Sequence, residues 1–285
     1  MTFWTDLIGT SYSIDWVDAG GLRTRSLQAG PVDGDPVVFL HGTSGHLEAF
    51  VRNVGPHAAA GYRVHAIDMA GHGYTEGPDE DYEIPVYVRH LVAYLDAVGI
   101  DRAHLVGESL GGWVSGTLAT EQPGRVRSLQ LVAAGGTRAN PPVMAKIKES
   151  TTRAVLTDDN AFTRQRLELL MHDPADVSDE LVEVRHAIYH QPAFVKALPH
   201  LLCLQTMEIR QRNLLTTQQL ASITAATLVV WGRQNPFGDV PEAQAMHEAI
   251  PGSRLELFDG CGHWPQHEDA PRFNTLSLEF LASAG

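Results

Sequence analysis

The sequence predicts an α/β fold, a mostly parallel central sheet flanked by helices, with a helical segment inserted late in the chain. Three observations carry that expectation. Short apolar runs alternate with helical stretches, the pattern of a parallel sheet covered on both faces. A tight Gly107-x-Ser109-x-Gly111 turn lies between an apolar run and a stretch of helical spacing. From about residue 141 to 217 the strand signal lapses and polar helical stretches take over.

Taken in order, residues 11–18 and 22–29 alternate apolar and polar around Ala19-Gly20-Gly21, which reads as a β-hairpin. Val37-Val38-Phe39-Leu40 is a continuous apolar run of the kind a parallel sheet buries on both faces. It leads into the glycine-rich turn His41-Gly42-Thr43-Ser44-Gly45. Residues 62–67 form the next strand, followed by Asp68-x-x-Gly71-x-Gly73. Ile84, Val88, Leu91, Val92, Leu95 and Val98 share one helix face, and Gly99 stops that helix. Residues 103–106 and 126–132 are strands on either side of the Ser109 turn and its helix. Leu167, Leu170 and Met171, then Leu181, Val184 and Ile188, give the inserted segment two amphipathic faces. Residues 226–231 restore the strand pattern. A helix over 239–250, a last strand over 254–258 and a closing helix over 271–284 complete the chain. The expected division is a core of residues 1–136 and 218–285 with a helical lid, 137–217, lying over the sheet edge.

Composition bounds the function. At 285 residues and 44% hydrophobic, the chain can bury the core of one α/β domain with an insertion. A net charge of −13 argues against nucleic acid as a partner. Cys203 and Cys261 are the only cysteines, so no disulfide framework is implied. The first residues lack both a basic region and an apolar core, and no apolar run is long enough to span a bilayer. A cytoplasmic protein without membrane partners is the expectation.

The Ser109 turn has the form of a nucleophile elbow, a strained strand-to-helix turn that lifts a serine hydroxyl clear of the sheet. The helix N-terminus that follows favours negative charge beside it. A serine hydroxyl needs a base, and histidine suits that role near neutral pH. Among 14 histidines, His263 in Cys261-Gly262-His263-Trp264 follows the last strand and completes the order serine, acid, histidine. Two backbone N–H groups must hold the oxyanion of a tetrahedral intermediate. Leu110 supplies one, and Thr43, with Ser44 as the alternative, the other. His186 and His190 stand four apart on an expected helix, but the sequence supplies no third metal ligand. No metal and no cofactor are expected.

Together, His41-Gly42, Asp68-x-x-Gly71-x-Gly73, Gly107-x-Ser109-x-Gly111-Gly112, Trp231-Gly232 and Gly262-His263-Trp264 make the chain resemble the α/β-hydrolase superfamily over nearly its whole length. Residues 52–56, Cys261 to Trp264 and residues 180–185 are most similar to the meta-cleavage-product hydrolases. Those enzymes cleave a carbon–carbon bond in 2-hydroxy-6-oxohexa-2,4-dienoates from aromatic ring degradation. The resemblance implies that His263 assists ketonisation of the dienol and Ser109 attacks the C6 carbonyl, leaving an acyl-enzyme for water. It also implies that Arg185 holds the substrate carboxylate through its planar fork. Asn53, Trp264, Gly42, Cys261 and Glu108 would line the substrate site, and the family tendency is to dimers. The alternatives are a carboxylesterase or lactonase with the same serine and histidine, and a ligand-binding receptor without turnover.

Two positions depart from the family. Where the acid after Trp231-Gly232 is expected, the chain has Asn235, with Asp239 four residues on; either is a candidate partner of His263. An asparagine can orient imidazole but stabilises imidazolium less, and Asp239 can equally cap the following helix. Glu108 stands before the serine where the family usually has asparagine. It would either pair with Arg185 or repel a substrate carboxylate.

Overall fold

The structure, a computed structural model, describes residues 3–284; residues 1, 2 and 285, at the two ends of the expected core unit, lie outside them. Eight strands form one sheet: β1 (Tyr12–Ala19), β2 (Leu22–Ala29), β3 (Pro36–Leu40), β4 (Arg63–Ile67), β5 (Ala103–Glu108), β6 (Val126–Val132), β7 (Ala226–Gly232) and β8 (Arg254–Phe258). Their order across the sheet is β1-β2-β4-β3-β5-β6-β7-β8. β1 and β2 pair antiparallel, β2 runs antiparallel to β4, and β4 through β8 are parallel. This is the mostly parallel sheet that the alternation predicts, with the expected hairpin at one edge. All of β5 is buried, as a central parallel strand covered by helices on both faces must be.

One helix has no counterpart in the sequence pattern. Val51–Ala59 is helical although it contains Gly55 and Pro56, both of which read as breakers. Tertiary contacts override the propensity: Val51 and Val54 are buried in the core, and His57 Nε2 is bonded to Ser277 Oγ of the closing helix at 2.8 Å. Between β6 and β7, Pro141–Leu156, Asn160–Glu168, Asp179–Tyr189 and Pro192–Leu201 pack on one another and Met207–Asn213 on the turn at 203–205, whereas Thr217–Ala221 packs against the core helices Val240–Ala249 and Leu110–Glu121.

The loop between β3 and Val51 is pinned from below. Asp68, fully buried, accepts the Leu47 N–H at 2.7 Å and the Tyr74 N–H at 3.0 Å. Gly73, at φ +57°, leaves room for that carboxylate, since a Cβ there would lie 2.1 Å from it. Arg25 bridges Asp68 and Glu48. The Asp68-x-x-Gly71-x-Gly73 motif therefore holds a loop in place; its chemistry is structural.

Candidate active site

Ser109 ends β5 at φ 51°, ψ −109°, the strained geometry of an elbow. Two glycines permit it: a Cβ on Gly111 would lie 2.1 Å from the Leu40 carbonyl, and one on Gly107 would lie 2.3 Å from that of Gly111. The Gly111 N–H donates to the His41 carbonyl at 3.1 Å, which ties the elbow to the β3 loop. Leu110 opens the helix Leu110–Glu121, so its N–H has no preceding turn to bond and is free for an oxyanion. Thr43 lines the same cavity, inside the turn that the Gly45 N–H closes on the Gly42 carbonyl at 2.9 Å.

His263 follows β8 and is buried. Its N–H donates to the Leu170 carbonyl of the lid at 2.7 Å. Below it, the Glu268 carboxylate accepts the N–H groups of His172, Gly262 and Trp264, clamping lid and histidine loop together. Its Nδ1 is 2.9 Å from Asn235 Oδ1, which also accepts the Phe237 N–H at 3.1 Å. Its Nε2 is 3.2 Å from Glu108 Oε1. Burial, with Arg166 nearby, lowers the imidazole to about 3. Glu108 is fully buried and burial raises it to about 8, against the opposing pull of Arg185 and Arg166.

Several expectations are corrected here. Asp239 does not reach His263. Its carboxylate caps the helix Val240–Ala249 by accepting the Glu242 N–H at 3.0 Å, and it pairs with Arg138 at the surface. Asn235 alone of the two candidates is bonded to the imidazole. Ser44 does not line the cavity: at φ 57° it turns its carbonyl to Arg185 and its hydroxyl to Tyr189. Asn53 lies outside the cavity as well, its Nδ2 spent on the Gln266 carbonyl and Asn274 Oδ1. Cys261 is a core thiol, pushed up to about 12 by burial, whose carbonyl backs onto Gly232. Glu108 faces His263 and forms no ion pair with Arg185. His186 and His190 do have a third potential ligand in Asp158, but none of the three lines the cavity.

Arg185 is not a surface lid residue. Only 1% exposed, it donates through Nε to His46 Nε2 at 2.8 Å and through Nη1 to the Ser44 carbonyl at 2.8 Å. Its Nη2 is buried without a partner, and Cζ stands 5.5 Å from the Trp264 ring centroid. Asp179 and Glu183, the acids nearby in sequence, bond Arg164 and Asn160 instead. The sequence offered no sign of Arg166. It comes from the lid helix Asn160–Glu168, is 3% exposed, and donates through Nε to Thr151 Oγ1 at 3.2 Å, while Nη1 has no partner. Phe237, also unforeseen, packs edge-on to His263 with ring centroids 4.9 Å apart. In sequence, Arg166 is indistinguishable from the solvated arginines around it.

Gly42, Thr43, Glu108, Ser109, Arg166, Arg185, His263 and Trp264 thus share one cavity under the lid, closed over by Ile147, Leu170 and Phe237. Its free space is about 20 Å³, room for about one water, so side chains or lid helices must move to admit a substrate. A larger cavity, about 540 Å³ between Trp16, Tyr74 and Phe194, contains none of these residues.

A strained serine at a strand end, a histidine from the last strand's loop and a covering helical lid define an α/β hydrolase. The family model for the alpha/beta hydrolase fold matches residues 35–270, and the chain belongs to that family. It is 34% identical over 259 residues, 88% of each chain, to a 2-hydroxy-6-oxo-6-phenylhexa-2,4-dienoate hydrolase of Burkholderia cepacia. It is 35% identical over 278 residues, 93% of each, to a 2-hydroxymuconate semialdehyde hydrolase of Pseudomonas sp. strain CF600. A meta-cleavage product hydrolase of Pseudomonas fluorescens superposes with a TM-score of 0.83 at 28% identity, covering 95% of this chain and 98% of that one. Within the family, the chain is a hydrolase that stands with the meta-cleavage-product hydrolases. No helix among the described residues is long and apolar enough to cross a membrane.

Proposed function

We propose that this hydrolase cleaves the carbon–carbon bond of a 2-hydroxy-6-oxohexa-2,4-dienoate-type ring-cleavage product through Ser109. The observation that carries this reading is Arg185: a buried guanidinium, anchored on two sides and with one nitrogen unpartnered, lines the serine's own cavity. The free Nη2 of that buried cation can donate to a substrate carboxylate or to the oxo group beside it. Named relatives that act on such dienoates over most of the chain's length support the same substrate class.

In this reading the dienolate is first ketonised at C5. Ser109 Oγ then attacks C6, with the oxyanion held by the N–H groups of Leu110 and Thr43. Ketonisation turns C5 into a leaving group stabilised by the C2 oxo group, so the C5–C6 bond breaks and water hydrolyses the acyl-enzyme. Asn235 holds the imidazole in one tautomer. The chemistry needs no cofactor, because the vinylogous 1,5-diketone supplies its own electron sink.

The test is loss of the visible absorbance of 2-hydroxy-6-oxo-6-phenylhexa-2,4-dienoate, run beside p-nitrophenyl acetate hydrolysis with wild type and Ser109→Ala. Rapid bleaching by wild type, at least about 10³-fold slower in Ser109→Ala, is expected. Ester turnover without bleaching would transfer the enzyme to the esterases or lactonases.

A further inference from the structure

Asn235 and Glu108 approach opposite nitrogens of His263, and between them they determine where its protons are. Asn235 Oδ1 accepts the Phe237 N–H at 3.1 Å. That bond fixes the orientation of the amide, because Nδ2 in its place would set donor against donor. The same oxygen lies 2.9 Å from His263 Nδ1, so Nδ1 must carry a hydrogen. In the neutral ring Nε2 is then a bare lone pair, and Glu108 Oε1 stands 3.2 Å from it.

An ionised carboxylate cannot sit against a lone pair in a closed site. Glu108 is 1% exposed, and neither of its oxygens has a conventional hydrogen-bond partner. Burial and that lone pair both disfavour a carboxylate here, and a proton on Glu108 removes both costs. Every neighbour bears on which group holds it. Arg166 and Arg185 from the lid stand close enough to favour a carboxylate, and the Gly42 amide and Trp264 indole lie nearby. Arg166 also disfavours an imidazolium, and burial disfavours charge on both groups. The outcome is a neutral acid and a neutral imidazole, with Glu108 raised to about 8 and His263 lowered to about 3. The carboxyl also flanks the nucleophile: a Cβ on Gly42 would lie 2.4 Å from Glu108 Oε2 and 2.9 Å from Ser109 Cβ.

We propose that Glu108 is a catalytic residue, an un-ionised carboxylic acid beside His263 Nε2 that delivers its proton to C5 of the bound dienolate. The proposal rests on the carbon–carbon hydrolase reading. In the transfer, the electron pair on the C2 oxygen forms the C2 carbonyl, the C2–C3 π pair moves to C3–C4, and the C4–C5 π pair takes the proton. Glu108 is left as a carboxylate beside neutral His263. His263 Nε2 then accepts the Ser109 hydroxyl proton, its imidazolium balanced by that carboxylate, as Oγ bonds to C6 and the C6 carbonyl pair moves onto its oxygen. The departing dienolate takes this proton, and the water that opens the acyl-enzyme returns one to the Glu108–His263 pair. A neutral Glu108 also removes the repulsion that a carboxylate beside the serine would exert on an anionic substrate.

The experiment compares wild type, Glu108→Gln and Glu108→Asp, each first checked for a native thermal transition. In infrared spectra at pH 7, wild type minus Glu108→Gln should contain the carbonyl band of an un-ionised carboxyl that disappears above about pH 8. Glu108→Gln should slow dienoate bleaching by about 10²-fold or more, and slow p-nitrophenyl acetate hydrolysis, which requires no ketonisation, far less. Wild-type kcat on the dienoate should fall on the alkaline side, a limb absent from Glu108→Gln and partly restored in Glu108→Asp. Absence of the carboxyl band at pH 7 would overturn the protonation. A Glu108→Gln enzyme with wild-type bleaching and the same alkaline limb would overturn the catalytic role. A wild type that shows the band but never bleaches the dienoate would instead sink the substrate reading, and the proton delivery with it.

Discussion

The sheet edge and the lid contribute to one cavity by different physical means. Ser109 and His263 sit at the ends of β5 and β8, where backbone bonds and glycine clearances dictate the position of each side chain. Arg166 and Arg185 come from amphipathic lid helices, and what orders their guanidinium groups is distant partners: Thr151 for one, Ser44 and His46 for the other. The core buries its histidines neutral. His57, His65 and His104 each have a hydrogen-bond partner on at least one ring nitrogen and titrate below the usual range because of burial. The lid buries two cations, each with one nitrogen unpartnered. A buried charge with an unfilled donor is costly unless something pairs with it, and in the proposed reading the substrate carboxylate does so.

The strongest way to break this contrast is Arg185→Ala. Removing the anchored guanidinium should raise KM for a dienoate by about 10²-fold while changing KM for a neutral ester less than about threefold, since the charge-assisted contact from Nη2 is lost only in the first case. Equal effects on both substrates would reduce Arg185 to a packing residue. A smaller effect separates two neighbours on the β7 loop. Asn235→Ala frees the tautomer of His263 and should lower kcat about tenfold or more. Asp239→Ala should leave kcat within about twofold and cost stability by about 1 kcal/mol through the lost cap. A large kcat effect from Asp239→Ala would return the carboxylate to the histidine.

The gentlest probe is pH. His41, His46, His57, His65, His72, His90, His104, His263 and His267 are all buried with pKa lowered from the usual 6.5. Below pH 6.5 the unfolded chain binds protons that the native state refuses, so stability is lost as pH falls from 6.5 towards 4. Asp68, raised to about 6, Glu108, Asp176, Glu242 and Glu268 act in the opposite sense, but they are five groups against nine. The urea midpoint should fall steadily over that window. A midpoint that holds from pH 6.5 to 4.5 would mean that the core histidines are already charged.

Much of this was legible in the chain. The strand runs, the Ser109 elbow and the position of His263 all follow from local pattern, because strand periodicity, glycine clearance and loop order are encoded within a few neighbouring residues. The helix Val51–Ala59 was not legible, since its Pro56 and Gly55 oppose the packing that forms it. Asn53 was misplaced for a related reason: family likeness says where a residue falls in the chain, while its partners Gln266 and Asn274 come from 213 and 221 residues away.

By itself, the sequence determined the class of fold, the elbow that holds Ser109 and the loop that holds His263, since each depends on backbone geometry that short motifs specify. Only the tertiary structure decided that Asn235 rather than Asp239 meets the imidazole, that Arg166 joins Arg185 in the cavity, and that Glu108 faces His263 Nε2. Those relations depend on the directions of side chains brought together across the sheet and the lid. A carboxylate four residues from an amide in sequence can cap a helix or orient a base with equal local propriety, and only the packed loop distinguishes the two.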